Sequence, residues 1–115
     1  MKKPKQVVIV RHIRPVTIYS APLVDNMYGA TLYVELDYET RNVKFGYSIC
    51  VGDNFSRKFG VDAAKIRFEN EPASLPMPEN GFEDTSVTAY IVENISDTNV
   101  PARNRDLLTA MWFAG

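Results

Sequence analysis

The chain has 115 residues, a length that forms one domain, residues 1–115, rather than two. Hydrophobic residues make up 45% and charged residues 23% of it, a composition too apolar for a disordered protein. The formal net charge of −1 excludes a protein drawn to DNA or acidic membranes by its overall field, so any attraction for anions must come from a local cluster.

Few residues are available for catalysis or metal binding. Cys50 is the only cysteine, which rules out an intrachain disulfide and a cysteine zinc cluster, and His12 is the only histidine. We interpret His12 as a structural residue and Cys50 as a packing residue. No metal-ligand spacing, phosphate loop or dinucleotide motif is present. The sequence therefore predicts a protein that is not an enzyme and holds no cofactor and no metal.

The first half of the chain predicts strands. Residues 6–20 are rich in β-branched residues, and we expect one or two strands with Pro15 at an edge or break. Residues 31–38 and 43–51 alternate between apolar and polar side chains and are joined by residues 39–42. This period of two predicts a central β-hairpin, 31–51, with one buried face.

A helix is predicted next, at 54–68, with Asp53 or Asn54 as its N-cap. One apolar stripe is expected to lie on the sheet, and it contains Phe55, Phe59, Ala63 and Ile66. A second, weaker stripe contains Val61, Ala64 and Phe68, with Arg57 at its N-terminal end. This second stripe is covered either by the following loop or by a second subunit.

The last third of the chain has weaker patterns. Residues 70–81 contain three prolines and predict a loop. Residues 85–95 fit either a strand or a helix, and their β-branched density favours a strand. Residues 97–113 predict a short C-terminal helix, with Thr98 or Asn99 as its cap and one apolar face formed by Leu107, Leu108, Met111 and Trp112. The predicted fold is α+β, a small antiparallel sheet packed by two helices.

The stretch "DNFSRKFG", residues 53–60, places Arg57 and Lys58 in the first turn of the predicted helix, where the helix dipole repels cations. An anion bound there would reverse this cost, because free backbone N–H groups, the dipole and both charges would then act together. The ordinary alternative is a surface ion pair between Asp53 and Arg57. Arg103 and Arg105 are likewise two cations near the start of the last predicted helix, where a bound anion would also offset their cost.

Residues 45–67, "FGYSICVGDNFSRKFGVDAAKIR", resemble the signature region of small phage proteins that include the anti-Thoeris sponge family. The resemblance implies a homo-oligomeric anti-defence protein of the host cell cytoplasm. Such a protein binds and sequesters cyclic nucleotide immune signals, namely cyclic ADP-ribose isomers and cyclic oligonucleotides, without cleaving them. The family-like positions are Asn54, Phe55, Ser56, Arg57, Lys58 and Gly60. The candidate ligand-binding residues are Asn54, Phe55, Arg57, Lys58, Arg103 and Arg105.

Two other functions remain open. A small phage protein of this size could inhibit a host enzyme by protein–protein contact. A single-stranded nucleic-acid binder combines a basic groove with aromatic side chains, and the net charge of −1 disfavours it. No membrane partner is expected, because no apolar run approaches the roughly 18 residues of a membrane span.

Overall fold

The computed structural model describes residues 6–14, 28–51, 56–79, 81–82 and 86–114. Within these ranges it forms an antiparallel sheet of four strands in the order β1-β2-β3-β4, with three α-helices. In chain order the elements are β1 (Gln6–Ile13), β2 (Tyr28–Asp37), β3 (Asn42–Val51), α1 (Arg57–Asn70), β4 (Ala73–Pro76), α2 (Val87–Glu93), a 3₁₀ turn (Ile95–Asp97) and α3 (Ala102–Ala114). The α+β fold and its central hairpin are thus confirmed. The predicted strand residues 15–20 lie outside the described ranges.

The apolar face of the hairpin forms the main core. Leu32 pairs with Tyr47 and Val34 with Phe45 across β2 and β3, and all four are buried. Helices α2 and α3 cover this face, contributing the buried side chains Ile91, Leu108 and Met111. The alternation of apolar residues along both strands therefore places one complete row of side chains in the core.

Helix α1 covers the opposite face of the sheet, so both faces of the hairpin are packed. Thr31 is fully buried beneath the helix. A Cβ on Gly46 would lie 2.3 Å from the carbonyl oxygen of Ala64 and 2.4 Å from the backbone nitrogen of Phe68. The backbone of α1 therefore approaches β3 as closely as a glycine permits. Further along, Phe68 packs edge-on against Tyr33, with ring centroids 5.1 Å apart.

The predicted orientation of this helix is wrong. Gly60 and Ala64 are its buried residues, and the stripe of Val61, Ala64 and Phe68 faces the sheet. Phe59 and Ile66 are 74% and 60% exposed. Large side chains would hold the helix away from β3, whereas glycine and alanine allow close contact, so the weaker apolar stripe is the one that packs.

Helix α1 also begins later than expected. Its N-cap is Ser56, with extended backbone angles and a side-chain oxygen that accepts a hydrogen bond from the Phe59 N–H, rather than Asp53 or Asn54. At α3 the first hydrogen bond runs from the Arg105 N–H to the Pro101 carbonyl, so neither Thr98 nor Asn99 is the cap.

Two elements were predicted wrongly. Residues 70–81, expected to be a loop, contain the edge strand β4, in which Ala73 and Leu75 are buried and Pro76 is tolerated at the free edge. Within residues 85–95, for which a strand was favoured, Val87–Glu93 form α2 and Ile95 begins the 3₁₀ turn. Ser86 caps this helix by accepting from the Ala89 N–H, and the helical spacing of Ile91 and Ile95 brings both into the core.

Candidate functional site

The N-terminal end of α1 lies over the middle of the sheet. Ser56 caps the helix, and the Gly60 N–H completes the first turn by donating to the Ser56 carbonyl at 2.9 Å. Arg57 and Lys58 occupy that turn, both exposed, and no acidic residue accompanies them there. The two cations thus lie at the positive end of the helix dipole, as the sequence predicts.

Polar side chains of the sheet lie directly beneath this turn. His12 of β1 pairs in register with Thr31 of β2, and its Nδ1 is hydrogen-bonded to the Thr31 hydroxyl at 2.9 Å. On β3, the Ser48 hydroxyl donates to the Gly60 carbonyl at 3.0 Å. A Cβ on Gly60 would lie 2.4 Å from the Thr31 oxygen. Thr31 therefore contacts both the helix and the histidine, and it fixes their relative positions.

Two arginines act on His12 at this end of α1. Burial lowers the pKa of His12 below its ordinary value of 6.5, and the positive charges of Arg57 and Arg14 lower it further. We call His12, Arg14 and Arg57 the basic cluster. Because burial and both arginines lower the pKa of His12, its imidazole is mainly neutral at pH 7, and a negative charge bound beside it would favour its protonation.

This arrangement suits the binding of an anion. Arginine forms charge-assisted, often paired hydrogen bonds with phosphate oxygens, and a helix N-terminus adds N–H donors directed the same way. A neutral imidazole that gains a proton as the anion binds would supply a third positive charge. Among the described residues, no group of three or more His, Cys, Asp or Glu side chains is placed to hold a metal ion.

The structure separates the predicted ligand-binding residues. Arg57 and Lys58 lie at the N-terminal end of α1, whereas Arg103 and Arg105 belong to α3, which packs on the opposite face of the sheet. Arg103 is exposed, and Arg105 donates from Nη1 to the Ser96 carbonyl at 3.5 Å. The two pairs therefore cannot contact one small ligand within a single chain. The remaining candidates, Asn54 and Phe55, lie outside the described residues.

Sequence reasoning missed the part of the site that lies on the sheet. His12 was interpreted as structural, and neither Thr31 nor Arg14 was considered. Strand alternation places Thr31 and Ser48 on the polar face of the hairpin, but the pairing of β1 with β2 brings His12 to Thr31. That register cannot be obtained from residue patterns alone, because β1 has no turn signal linking it directly to β2.

Comparison with models of protein families, with curated proteins and with solved structures finds no significant match. Of the helices in the described part of the chain, none is long and apolar enough to cross a membrane.

Proposed function

We propose that the protein binds a small phosphate-bearing ligand at the N-terminal end of α1 and holds it intact. The observation that carries this proposal is the basic cluster, in which Arg57 and Arg14 both act on His12 beside the first turn of the helix. The helix dipole disfavours the positive charges of Arg57 and Lys58 in its first turn, and the charges of Arg57 and Arg14 disfavour a protonated His12. A bound phosphate would act against both effects.

The resemblance of residues 45–67 to the sponge family supports a cyclic nucleotide as the ligand class, since such signals carry two or three phosphates. On this proposal the protein is a phage anti-defence protein that sequesters the signal in the host cell cytoplasm. Sequestration requires tight binding and no catalytic step. Arg57 and Lys58 would contact phosphate oxygens directly, and His12 would become protonated as the ligand binds.

Substituting Arg57 by Glu is a sharp test, because it separates binding from folding. Glu in the first turn of a helix stabilises it by about 0.3–1 kcal/mol, so loss of binding could not be attributed to unfolding. A charge-assisted hydrogen bond contributes about 1.5–3 kcal/mol. We therefore expect Arg57→Glu to weaken phosphate binding at least about tenfold.

Arg11 supplies the matched control. It is exposed and adjacent in sequence to His12, but strand alternation directs it to the opposite face of the sheet. Arg11→Glu makes the same change of charge, and we expect it to leave binding unchanged. Any difference between the two variants then reports the position of the charge rather than its effect on the whole molecule.

The experiment is native mass spectrometry of the wild type and both variants with cyclic ADP-ribose isomers, a cyclic trinucleotide and inorganic phosphate. Wild type and Arg11→Glu should retain a cyclic nucleotide that is released with unchanged mass on denaturation, and Arg57→Glu should not. Failure of the wild type to retain any of these compounds would contradict the proposal. So would equal retention by Arg57→Glu, and a cleaved product would indicate an enzyme instead.

A further inference from the structure

Helix α1 leaves a large apolar surface exposed on the side away from the sheet. Phe59 and Ile66 are 74% and 60% exposed, and Ala63 lies between them. At 100° per residue these three side chains share one stripe, in which Phe59 and Ile66 point away from the buried Ala64 and the half-buried Ala63 lies nearer the sheet. We call this stripe the outer face of α1. An apolar stripe this exposed on a packed helix is typical of an interaction surface.

A depression adjoins the C-terminal half of the outer face. It has a volume of about 330 Å³ and is lined by Ala63, Ile66, Arg67, Asn70 and Glu71. One wall is held in place, because the guanidinium of Arg67 lies 4.2 Å from the centre of the Tyr47 ring. A cavity of about 150 Å³ can hold a benzene ring, so the depression is large enough for the side chain of a phenylalanine.

The charged residues beside the outer face are spaced evenly about the middle of the helix, with opposite signs at matching positions. Along one flank the order is Lys58, Asp62, Lys65, Glu69, so that the sign alternates. Lys58 and Glu69 are equally distant from the midpoint between Ala63 and Ala64, and so are Asp62 and Lys65. All four residues are exposed.

We propose that a second copy of this chain docks on the outer face, with the two α1 helices antiparallel about a two-fold axis at that midpoint. In such an isologous contact the same flank of each helix meets its counterpart. Lys58 then faces the partner's Glu69, and Asp62 faces the partner's Lys65. On the other flank, Phe59 of each copy is opposite the depression of its partner.

Both the shape and the charges select a second copy rather than an unrelated protein. Along the helix, Phe59 lies as far before the midpoint as Phe68 lies after it, and that position falls within the span of the depression, which is lined by residues from Ala63 to Glu71. A parallel two-fold arrangement would instead bring the charged flank of each helix against the apolar flank of its partner, so these charged pairs would not form. Because one helix face buries less than the roughly 800 Å² per partner of a standard interface, we expect a dimer in the micromolar range.

The proposed dimer and the proposed ligand site share one residue, Lys58, which would face the partner's Glu69 in the dimer and a phosphate in the ligand complex. The antiparallel arrangement places the two basic clusters at opposite ends of the interface, and the charged pairs of the dimer use neither His12, Arg14 nor Arg57. The two proposals are therefore measured separately, by association state and by retention of nucleotide.

Sedimentation velocity from about 1 µM to about 500 µM tests association, since an interface of this size is expected to form in that range. We expect the wild type to pass from monomer to dimer. Phe59→Asp should raise the concentration at which half of the chains are dimeric at least about tenfold, because it places a charge in an apolar contact. Phe113→Asp is the matched control, since Phe113 is 71% exposed on α3, on the opposite side of the sheet. It should leave that concentration unchanged.

A mixing experiment tests the antiparallel register. Asp62→Lys and Lys65→Asp should each weaken the homodimer about tenfold, since each turns two attractive contacts into repulsive ones. Mixed in equal amounts, the two variants should associate as tightly as the wild type, because at both contacts a positive side chain of one variant would again face a negative side chain of the other. Any effect of a substitution on the stability of its own helix persists in the mixture, so it cannot explain a recovery of association.

Three results would overturn the proposal. The first is a wild type that stays monomeric over the whole range. The second is a dimer that Phe59→Asp does not weaken while thermal unfolding shows the variant to be folded. The third is a mixture of Asp62→Lys and Lys65→Asp that associates no better than either variant alone.

Discussion

Gly46→Ala should destabilise the protein more than a methyl group added at Gly60, because the new Cβ meets backbone rather than a movable side chain. It would lie 2.3 Å from the Ala64 carbonyl oxygen and 2.4 Å from the Phe68 nitrogen. Since Cβ contacts below about 3 Å are not tolerated, α1 must retreat by roughly 1 Å. A gap of that size loses a quarter to a half of the dispersion energy across the contact.

The expected loss of stability in Gly46→Ala is the sum of three contributions. Overpacking costs about 1–3 kcal/mol, and the lost contacts beneath α1 add to it. Alanine in a strand recovers about 0.5–1 kcal/mol relative to glycine. We expect a net loss of about 2–4 kcal/mol, against a total stability on the order of 10 kcal/mol for a domain of this length.

Urea unfolding of wild type and Gly46→Ala measures this loss, and thermal unfolding should show a Tm lower by roughly 10 °C. Gly81→Asn is the control. Gly81 has φ of 67° and no atom within 4 Å of an added Cβ, and asparagine tolerates this left-handed conformation. Its stability should stay within about 1 kcal/mol of the wild type. A Gly46→Ala variant as stable as the control would refute the close packing of α1 on β3.

Three further predictions concern the residues beneath and beside α1. Gly60→Ala should cost about 0–2 kcal/mol net in urea unfolding, because its Cβ would displace the Thr31 hydroxyl that bonds His12, while alanine in a helix recovers about 1 kcal/mol relative to glycine. A variant about 1 kcal/mol more stable than the wild type would contradict that contact. Tyr47→Phe should cost about 1 kcal/mol by the same measurement, since the Asn104 amide donates to the Tyr47 hydroxyl at 2.9 Å. The free protein should lose stability as pH falls from about 7 towards 5, because unfolded His12 binds a proton at higher pH than folded His12 does. His12→Gln should remove that part of the slope, and an unchanged slope would contradict the lowered pKa.

The sequence predicts the central hairpin well because its signal is local. Leu32, Val34 and Leu36 alternate with polar residues, and the same period continues in β3, so the buried face is identified without tertiary information. The basic first turn of α1 is predictable for a similar reason, since Arg57 and Lys58 follow a run of capping-type residues after a strand, although the cap itself is Ser56 rather than Asp53 or Asn54.

The parts that sequence reasoning got wrong depend on long-range packing. Hydrophobicity favours Phe59 and Ile66 as the buried stripe of α1, but the closeness of β3 at Gly46 admits only the side with Gly60 and Ala64. Strand β4 is a strand only because it pairs with β3, since its four residues contain a proline. Tertiary contact overrides local preference in both cases.

The central claim is that a phosphate-bearing ligand binds beside His12, and the pKa of that histidine tests it most directly. Because the chain has one histidine, its ring signals in an NMR titration need no assignment. The pKa should lie below 6.5 in the free protein and rise when a cyclic nucleotide saturates it, since the bound phosphate would favour the charged imidazole. A pKa that stays the same in the fully bound protein would contradict the proposed site.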